Sequence, residues 1–391
     1  MLSPASRSII EATLPAVKAH ANDITGVFYP LMFERYPEVK AYFNQTHQEQ
    51  GTQRQALANA VVAYASNLDR LEALGDAVSL IVNKHVSLDI RPEHYPIVGE
   101  CLLAAVKQVL GDAATDEVLA AWGEAYQQLA DILISAEEGR YQQNAAKPGG
   151  WRGERAFVLV RKVPESHEII SFYFEPADGG AVADFQPGQF IGLILDIDGQ
   201  QVRRNYSLSD RPGRPYYRIS VKREPNGVAS NFLHDRLSVG DTVSMTAPAG
   251  DFVLRDSERP LVLLSGGVGI TPTLAMLEPA LERGRPVHFL HGARNSEAQA
   301  FRDHLAALEQ AHDNLQVTVC YSEPLPADAD KPSGFFDGDR LASLLPENRD
   351  VDVYFLGPKP FMQACFRNLN ELEIPTSQIH YEFFGPLQAL A

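Results

Sequence analysis

A glycine-rich turn between an apolar run and a helical pattern is the segment best suited to bind an anion. The run Leu261–Leu264 leads directly into this turn. Glycines let the backbone approach a pyrophosphate, and the amides of the following helix stabilise its negative charge. We expect Thr271 to cap that helix and Pro272 to fill its first position, where no amide donor is needed. The place of this turn between strand and helix favours a nucleotide site over a plain tight turn. The residues of the site are Gly267, Val268, Gly269, Ile270, Thr271 and Pro272.

A second turn, which begins at Gly357-Pro358, also follows an apolar run. Ligands bind beyond the carboxyl ends of parallel strands, so we expect the two turns to face each other across one cleft. The alternative is an ordinary loop and helix start. Arg294 could hold the 2′-phosphate of NADPH, but Ser322-Glu323 provides an anion instead of a cation, which favours NADH.

A third candidate site combines an arginine with a tyrosine and a serine. In Arg204-Asn205-Tyr206-Ser207, the guanidinium can pair with a phosphate, the phenol can stack on a flat ring, and the hydroxyl can bond a ring nitrogen. A second short segment follows downstream, formed by Gly227, Val228, Ala229 and Ser230. Taken alone, the Arg-x-Tyr-Ser pattern is no more specific than a chance match.

Among eleven histidines, His85 shares a helical face with Val78, Ile81 and Val82. A histidine on an apolar face is usually a core residue, but a ring so shielded from water could also ligate iron. An aromatic-rich segment, 19–43, precedes His85 in the sequence. Gln53 and Leu57 lie on one face of the helix that follows this segment.

Three segments with different patterns must position these residues. Residues 1–147 show helical spacing and few glycines or prolines, so we predict an all-α domain. After Pro148-Gly149-Gly150, residues 151–257 contain short runs typical of an antiparallel barrel. We predict its strands at 157–163, 168–175, 189–196, 217–222 and 241–246. Residues 258–391 alternate apolar runs with helical stretches, which predicts an α/β domain with a mostly parallel sheet.

Composition excludes several classes of protein. A chain of 391 residues predicts two to four domains at roughly 150 residues each. The net charge of −16 argues against nucleic acid or an anionic membrane as the main partner. No apolar stretch approaches roughly 18 residues, so we expect no spanning helix. Three distant cysteines and the lack of a signal-peptide pattern favour a cytoplasmic location.

The order of the motifs after residue 152 resembles the ferredoxin–NADP reductase superfamily, in which an FAD barrel precedes a pyridine-nucleotide domain. This resemblance implies that Tyr206 and Ser207 contact the isoalloxazine, that Arg204 and the segment from Gly227 to Ser230 hold the pyrophosphate, and that Phe190 lies near the adenine. Asn226 replaces the usual second glycine of that segment. The C-terminal segment also resembles the family, with an aromatic covering the flavin and Glu382 tuning its potential; a buried aromatic tail is the alternative. It comprises Glu382, Phe383, Phe384, Gly385 and Pro386.

The helical segment resembles a globin, and the whole chain is similar to the flavohaemoglobins. The matching stretches are Phe28-Tyr29, Asn83-Lys84-His85, 93–100 and 121–126. The resemblance implies haem b with His85 as the proximal iron ligand, and Tyr95 and Glu137 as its polar partners; a helix-end hydrogen bond is the alternative for those two. It also implies that Tyr29 points its hydroxyl at iron-bound dioxygen and that Lys84 lies near the haem edge and the flavin domain. The remaining haem-pocket residues are Phe43, Gln53 and Leu57.

The resemblance implies a nitric oxide dioxygenase that turns NO and O2 into nitrate with electrons passed from NAD(P)H through FAD to haem. FAD is needed because nicotinamide delivers a hydride whereas iron takes single electrons. A haem- and flavin-dependent hydroperoxide reductase remains an alternative, as does an oxygen or gas sensor whose reductase only keeps iron reduced. A sensor needs an output module, and no segment is left for one. We expect a monomer with small-molecule partners, and a lipid in the distal haem pocket is left open.

Overall fold

The computed structural model describes residues 2–43, 52–68 and 75–385. These residues form a helical domain, an antiparallel barrel and a domain built on a parallel sheet, which confirms the predicted fold class. Within the described ranges, no helix is both long and apolar enough to cross a membrane.

The helical domain contains six α-helices in the described residues. They are α1 (Pro4–Ala19), α2 (Ala21–Arg35), α3 (Thr52–Ser66), α4 (Gly75–Ser87), α5 (His94–Leu110) and α6 (Asp116–Ala146). Short 3-10 helices occur at Pro37–Tyr42 and Gly111–Ala113. A proline and a glycine mark the ends of two of these helices. Pro37 follows α2, and Gly111 follows α5 with a φ of 56°, a conformation that favours glycine.

Two apolar clusters build the helical core. The larger joins α1, α2, α3, α5 and the first half of α6 around side chains such as Phe28, Met32 and Trp122. The smaller joins α4 to α5 and the second half of α6, and includes Val82, Val86 and Leu133. The smaller cluster therefore fixes α4, the helix that carries His85, against α6.

The barrel contains six antiparallel strands in the order β4-β3-β6-β1-β2-β5. They are β1 (Arg155–Pro164), β2 (Ile169–Pro176), β3 (Phe190–Ile197), β4 (Gln200–Ser207), β5 (Tyr217–Lys222) and β6 (Thr242–Met245). A bridge between Leu208 and Ile219 joins the two outermost strands and closes the sheet. One helix, α7 (Val228–Asp235), packs on it through Ala229 and Leu233. The sequence missed β4, because its polar side chains show no apolar alternation.

The described residues of the third domain form a five-stranded parallel sheet in the order β11-β10-β7-β8-β9. The strands are β7 (Leu261–Gly266), β8 (Val287–Ala293), β9 (Leu315–Tyr321), β10 (Asp352–Leu356) and β11 (Ile379–Tyr381). The helices are α8 (Ile270–Glu282), α9 (Arg302–Ala311), α10 (Gly338–Leu344) and α11 (Lys359–Glu371). Successive side chains of β7 enter two separate cores, one with α8 and α9 and the other with α10 and α11, as expected for a sheet covered on both faces. The three-residue strand β11 was not predicted.

The junction between helical domain and barrel is tightly packed. A Cβ on Gly150 would lie 2.0 Å from the Asn144 carbonyl oxygen, and one on Gly149 would lie 2.5 Å from that of Ala181. Gly149 has a φ of 71°. The two glycines at the predicted domain boundary therefore serve a close turn, and the barrel starts directly against the end of α6.

Candidate functional site

His85, Tyr95 and Glu137 come together in the helical domain from three different helices. The Nδ1 of His85 lies 2.7 Å from Oε1 of Glu137 and 3.1 Å from the Tyr95 hydroxyl. The Tyr95 hydroxyl donates to the same carboxylate oxygen at 2.5 Å. Glu137 is only 2% exposed, so this carboxylate is a buried acceptor shared by two donors.

Two further tyrosines hold the chain segments around these residues. The hydroxyl of Tyr126 donates to the Tyr95 carbonyl at 2.7 Å, and that of Tyr141 donates to the Ile90 carbonyl at 2.7 Å. Burial, and then the Glu137 carboxylate, raise the pKa of the Tyr95 phenol, so it remains a hydrogen-bond donor. Three side chains on α6 thus fix the start of α5 and the loop that follows α4.

The His85 ring fits the role of an iron ligand. Its Nδ1 is occupied by a carboxylate, which selects the tautomer with the proton on Nδ1 and leaves Nε2 with a free lone pair. The side chain is 31% exposed although α4 packs into a core, so the ring borders open space. Within the described part of the chain, no hydrogen bond to Nε2 is found. The donor chemistry therefore suits a haem iron.

Aromatic side chains from α2 and the segment after it form a second cluster in this domain. The Tyr29 ring contacts the rings of Phe28, Phe33 and Phe43 at centroid distances of 4.8, 6.0 and 5.7 Å. Tyr29 is 4% exposed, and Leu57 packs on the same core. The side chain of Gln53 lies outside the described residues. The structure thus brings Tyr29, Phe43 and Leu57 into one apolar cluster.

In the barrel, Arg204 has the character expected of an anion-binding residue. Its guanidinium donates to the Arg203 carbonyl at 2.7 Å, and no carboxylate partner is found for it in the described ranges. Burial lowers its pKa, and Tyr206 opposes the shift, although an arginine stays charged. A partly buried cation with no counter-charge fits a pyrophosphate.

The next residues of the motif face different surroundings. Tyr206 is partly buried and Ser207 is buried, opposite Phe190 in the β3–β4 ladder. The amide nitrogen of Asn205 instead donates to Ser87 Oγ in the helical domain at 2.8 Å. Its Oδ1 is buried and has no partner within the described residues.

The segment from Gly227 to Ser230 is the start of α7, not a free turn. Gly227 is the N-cap residue, and among the described residues no side chain caps the helix. The amides of Val228, Ala229 and Ser230 belong to the first turn, where the helix itself supplies no acceptor. A Cβ on Gly227 would lie 2.4 Å from Ser230 Oγ, which accepts from the Glu224 amide, so a side chain at this position would displace that hydroxyl. An uncapped helix start fits a phosphate.

Lys84, Phe190 and Glu382 meet where the helical domain, barrel and C-terminal tail approach one another. The Lys84 ammonium lies 5.7 Å from the Phe190 ring centroid. Burial raises the pKa of Glu382 to about 7, while the charge of Lys84 opposes that shift and Asp251 adds to it. In the tail, Phe383 packs on the core beside Tyr381, Phe384 is 49% exposed, and Gly385 follows. Pro386 lies outside the described residues.

The two turns of the nucleotide domain touch each other directly instead of facing across a gap. A Cβ on Gly269 would lie 2.2 Å from the Leu356 carbonyl oxygen, and one on Gly357 would lie 3.2 Å from the Gly266 Cα. Gly267 has a φ of 54°, and a Cβ there would meet no atom of the described residues within 4 Å. The close approach requires glycine, and the open side at Gly267 leaves room for a ligand's phosphates.

The start of α8 differs from the prediction. The helix begins at Ile270 with Gly269 as its N-cap. Thr271 and Pro272 therefore lie inside the first turn. The Thr271 hydroxyl donates to the Val268 carbonyl at 3.0 Å instead of accepting from an amide. The prediction of Thr271 as the cap was wrong, because Gly267–Gly269 already forms a 3-10 turn that leads into the helix.

Known protein families match each of the three parts. Residues 26–133 match the globin family, residues 156–254 an oxidoreductase FAD-binding domain, and residues 263–367 an oxidoreductase NAD-binding domain. A Burkholderia protein named Flavohemoprotein is 55% identical over 392 residues, and one from Pseudomonas aeruginosa is 54% identical over 391. Both matches cover 100% of this chain and 100% of the relative. The chain belongs to the flavohaemoprotein family.

Solved structures agree with this assignment. The crystal structure of a Malassezia yamatoensis flavohemoglobin with bound FAD and heme has a TM-score of 0.87 at 30% identity, over 98% of this chain and 100% of that one. The FAD/NAD-binding domain of a nitric oxide dioxygenase from Vibrio cholerae has a TM-score of 0.56 at 38% identity, over 59% of this chain and 99% of that one. This flavohaemoprotein therefore combines a haem-binding globin with FAD- and NAD-binding oxidoreductase domains.

Two features of this flavohaemoprotein were not found from the sequence. His291, 1% exposed, bonds Ser265 Oγ through Nδ1 at 2.9 Å at the end of β7, and burial lowers its pKa to about 4, so it is neutral. No spacing pattern in the sequence predicts the pairing of His291 with Ser265. Arg294, the candidate for a 2′-phosphate, instead donates to Glu168 of the barrel at 2.6 Å.

Proposed function

We propose that this flavohaemoprotein is a nitric oxide dioxygenase that converts NO and O2 into nitrate at the expense of NAD(P)H. The observation that carries the proposal is the buried Glu137 carboxylate on the His85 imidazole. A histidine polarised in this way donates more electron density to a metal, which suits an oxidative reaction better than simple oxygen storage.

His85 would hold the haem through Nε2, and Glu137 and Tyr95 would keep the ring oriented and its Nδ1 proton in place. Tyr29 would offer its hydroxyl to a polar gas ligand, while Phe43 and Leu57 would keep the surroundings of that hydroxyl apolar and exclude water. When bound, the cofactors supply hydride acceptance and single-electron release by FAD, and a redox-active iron where the gases react.

In the reductase domains, Arg204 and the start of α7 would bind the FAD pyrophosphate, with Tyr206 and Ser207 beside the flavin ring. The Gly267–Pro272 segment and Gly357-Pro358 would bind the nicotinamide nucleotide. Because Arg294 pairs with Glu168, its guanidinium is engaged by a carboxylate instead of being held ready for a 2′-phosphate, which supports NADH as the preferred donor.

One experiment separates this proposal from hydroperoxide reduction. The full-length holoprotein is supplied with NADH, and NADH oxidation is followed with NO and O2 in one series and with an alkyl hydroperoxide in another. We expect the NO series to be faster by kcat/KM. Faster oxidation with the hydroperoxide would favour the alternative, and slow turnover in both series would favour a sensor or store.

A further inference from the structure

Helix α4 has a polar stripe on the face opposite His85. Ser79, Asn83 and Ser87 follow at spacings of four residues and lie along one side of the helix. At roughly 100° per residue, His85 lies about 200° around the axis from Asn83. Val78 and Val82 lie on the same side as His85 and pack into the helical core. The polar stripe therefore faces away from that core.

The barrel binds this stripe through several hydrogen bonds. The Gly250 amide donates to Asn83 Oδ1 at 3.1 Å, and the Thr246 hydroxyl donates to the Ser87 carbonyl at 2.9 Å. The Asn205 side-chain amide donates to Ser87 Oγ at 2.8 Å. At the other end of the stripe, Ser79 donates to the Asp251 carboxylate.

The centre of the contact is buried and close. Asn83 is 4% exposed, Ser87 1% and Thr246 1%. A Cβ on Gly192 of β3 would lie 2.0 Å from the Ser87 carbonyl oxygen, so only glycine allows this approach. Buried polar groups without partners are costly, so these bonds specify one position of the helix on the barrel.

The same bonds cap the carboxyl end of α4. The last carbonyls of a helix have no donor within the helix. Here the Thr246 hydroxyl serves the Ser87 carbonyl, and the Arg203 guanidinium serves that of Leu88 at 3.1 Å. Both donors belong to the barrel. The helix that carries His85 is thus completed by side chains of another domain.

We infer that the flavin barrel positions the proximal histidine: Thr246 and Asn205, together with the Gly250 amide, fix α4 through the Ser79–Asn83–Ser87 stripe and thereby set the His85–Glu137 hydrogen bond. The inference rests on the proposed function, in which His85 ligates the haem iron. Glu137 stands on α6, so any shift or rotation of α4 relative to α6 changes the 2.7 Å bond between the two side chains. A weaker bond makes the imidazole a poorer electron donor to the metal.

The test is resonance Raman spectroscopy of the full-length, haem- and flavin-loaded protein, reduced chemically without NADH. The iron–histidine stretching frequency reports the strength of the proximal bond independently of turnover. Thr246→Val removes the hydroxyl at nearly constant volume, and Asn83→Leu removes the amide. Thr246→Ser retains the hydroxyl. Ser220→Ala is the matched control, because its buried hydroxyl bonds only to Ser171 and Ser209 inside the barrel among the described residues.

We expect Thr246→Val and Asn83→Leu to lower the stretching frequency, and Thr246→Ser and Ser220→Ala to keep the wild-type value at equal haem content. A wild-type frequency in both Thr246→Val and Asn83→Leu would overturn the inference. An equal shift in Ser220→Ala would also overturn it, because general loosening of the barrel would then be the cause. If the wild-type protein itself lacks an iron–histidine band, the proposed function fails, and the inference fails with it.

Discussion

Replacing Glu137 by glutamine isolates the charge of the carboxylate next to His85. The substitution keeps the shape of the side chain and an acceptor oxygen, but removes the negative charge that receives hydrogen bonds from His85 and Tyr95. Glu138→Gln is the matched control. This neighbour on the same helix is exposed and pairs with Arg152 at 2.6 Å, without contact to His85 in the described structure.

The expected magnitude follows from the difference between two kinds of hydrogen bond. A bond to a charged group contributes about 1.5–3 kcal/mol, and a neutral one about 0.5–1.5 kcal/mol. Loss of the charge thus weakens support for the more positive, ferric state by about 1–1.5 kcal/mol. Since a tenfold change is about 59 mV for one electron, the haem midpoint potential should rise by roughly 40–65 mV.

The assay is a spectroelectrochemical titration of the haem absorption in the full-length protein, with wild type and Glu138→Gln measured alongside. We also expect NO turnover of Glu137→Gln to fall by roughly 10–100-fold, the range typical for partners of metal ligands. A midpoint potential that stays at the wild-type value or falls would refute the role assigned to the carboxylate.

Four other variants test separate parts of the site. Tyr29→Phe should raise the O2 dissociation rate by up to roughly tenfold, since one hydrogen bond is lost, and an unchanged rate in flash photolysis would contradict this. Arg204→Gln should weaken FAD binding roughly 10–100-fold, because a hydrogen bond from a charged group is lost. Fluorescence titration measures the affinity, and a wild-type value would contradict a contact between Arg204 and the pyrophosphate. Gly269→Ala forces a Cβ against the Leu356 carbonyl of β10 and should lower the free energy of unfolding in urea by about 1–3 kcal/mol. Gly338→Ala is the control, because its Cβ meets no described atom within 4 Å, and it should not lower this free energy. Equal unfolding free energies of Gly269→Ala and wild type would refute the close approach. Burial raises the pKa of Glu382 from 4.5 to about 7, so the folded flavin-free chain holds this proton more tightly than the unfolded chain. The contribution of the protonated Glu382 to the free energy of unfolding is present below about pH 4.5 and is lost as pH rises to about 7. Glu382→Gln should remove this pH dependence. If wild type and Glu382→Gln show the same dependence of unfolding free energy on pH, Glu382 is not buried.

The sequence predicted the domain types because each core imposes its own apolar period. Strand β5 coincides with its prediction, whereas β4 was missed because Gln200–Ser207 carries polar side chains that serve contacts across domains. Strand β11 has three residues, too few to show a period. The start of α8 was misplaced because backbone geometry at Gly269, and not the capping preference of Thr271, decides it.

The candidate site was less accessible to pattern reasoning. His85, Tyr95 and Glu137 stand on three helices, and no local spacing reveals that their side chains meet. The apolar helix face singled out His85, but only the family resemblance pointed to Tyr95 and Glu137. The stripe of Ser79, Asn83 and Ser87 is visible in the sequence as a four-residue spacing. Its meaning depends on Thr246 and Gly250, which are more than 150 residues away in sequence.

Isotope labelling tests the central claim most directly. The full-length holoprotein converts NO in the presence of NADH and oxygen-18 gas, and the nitrate formed is analysed by mass spectrometry. A dioxygenase transfers both atoms of one O2 molecule, so we predict nitrate with two labelled oxygen atoms and loss of nitrate formation without NADH. Nitrate with one labelled atom or none, or consumption of NO without nitrate, would contradict the account.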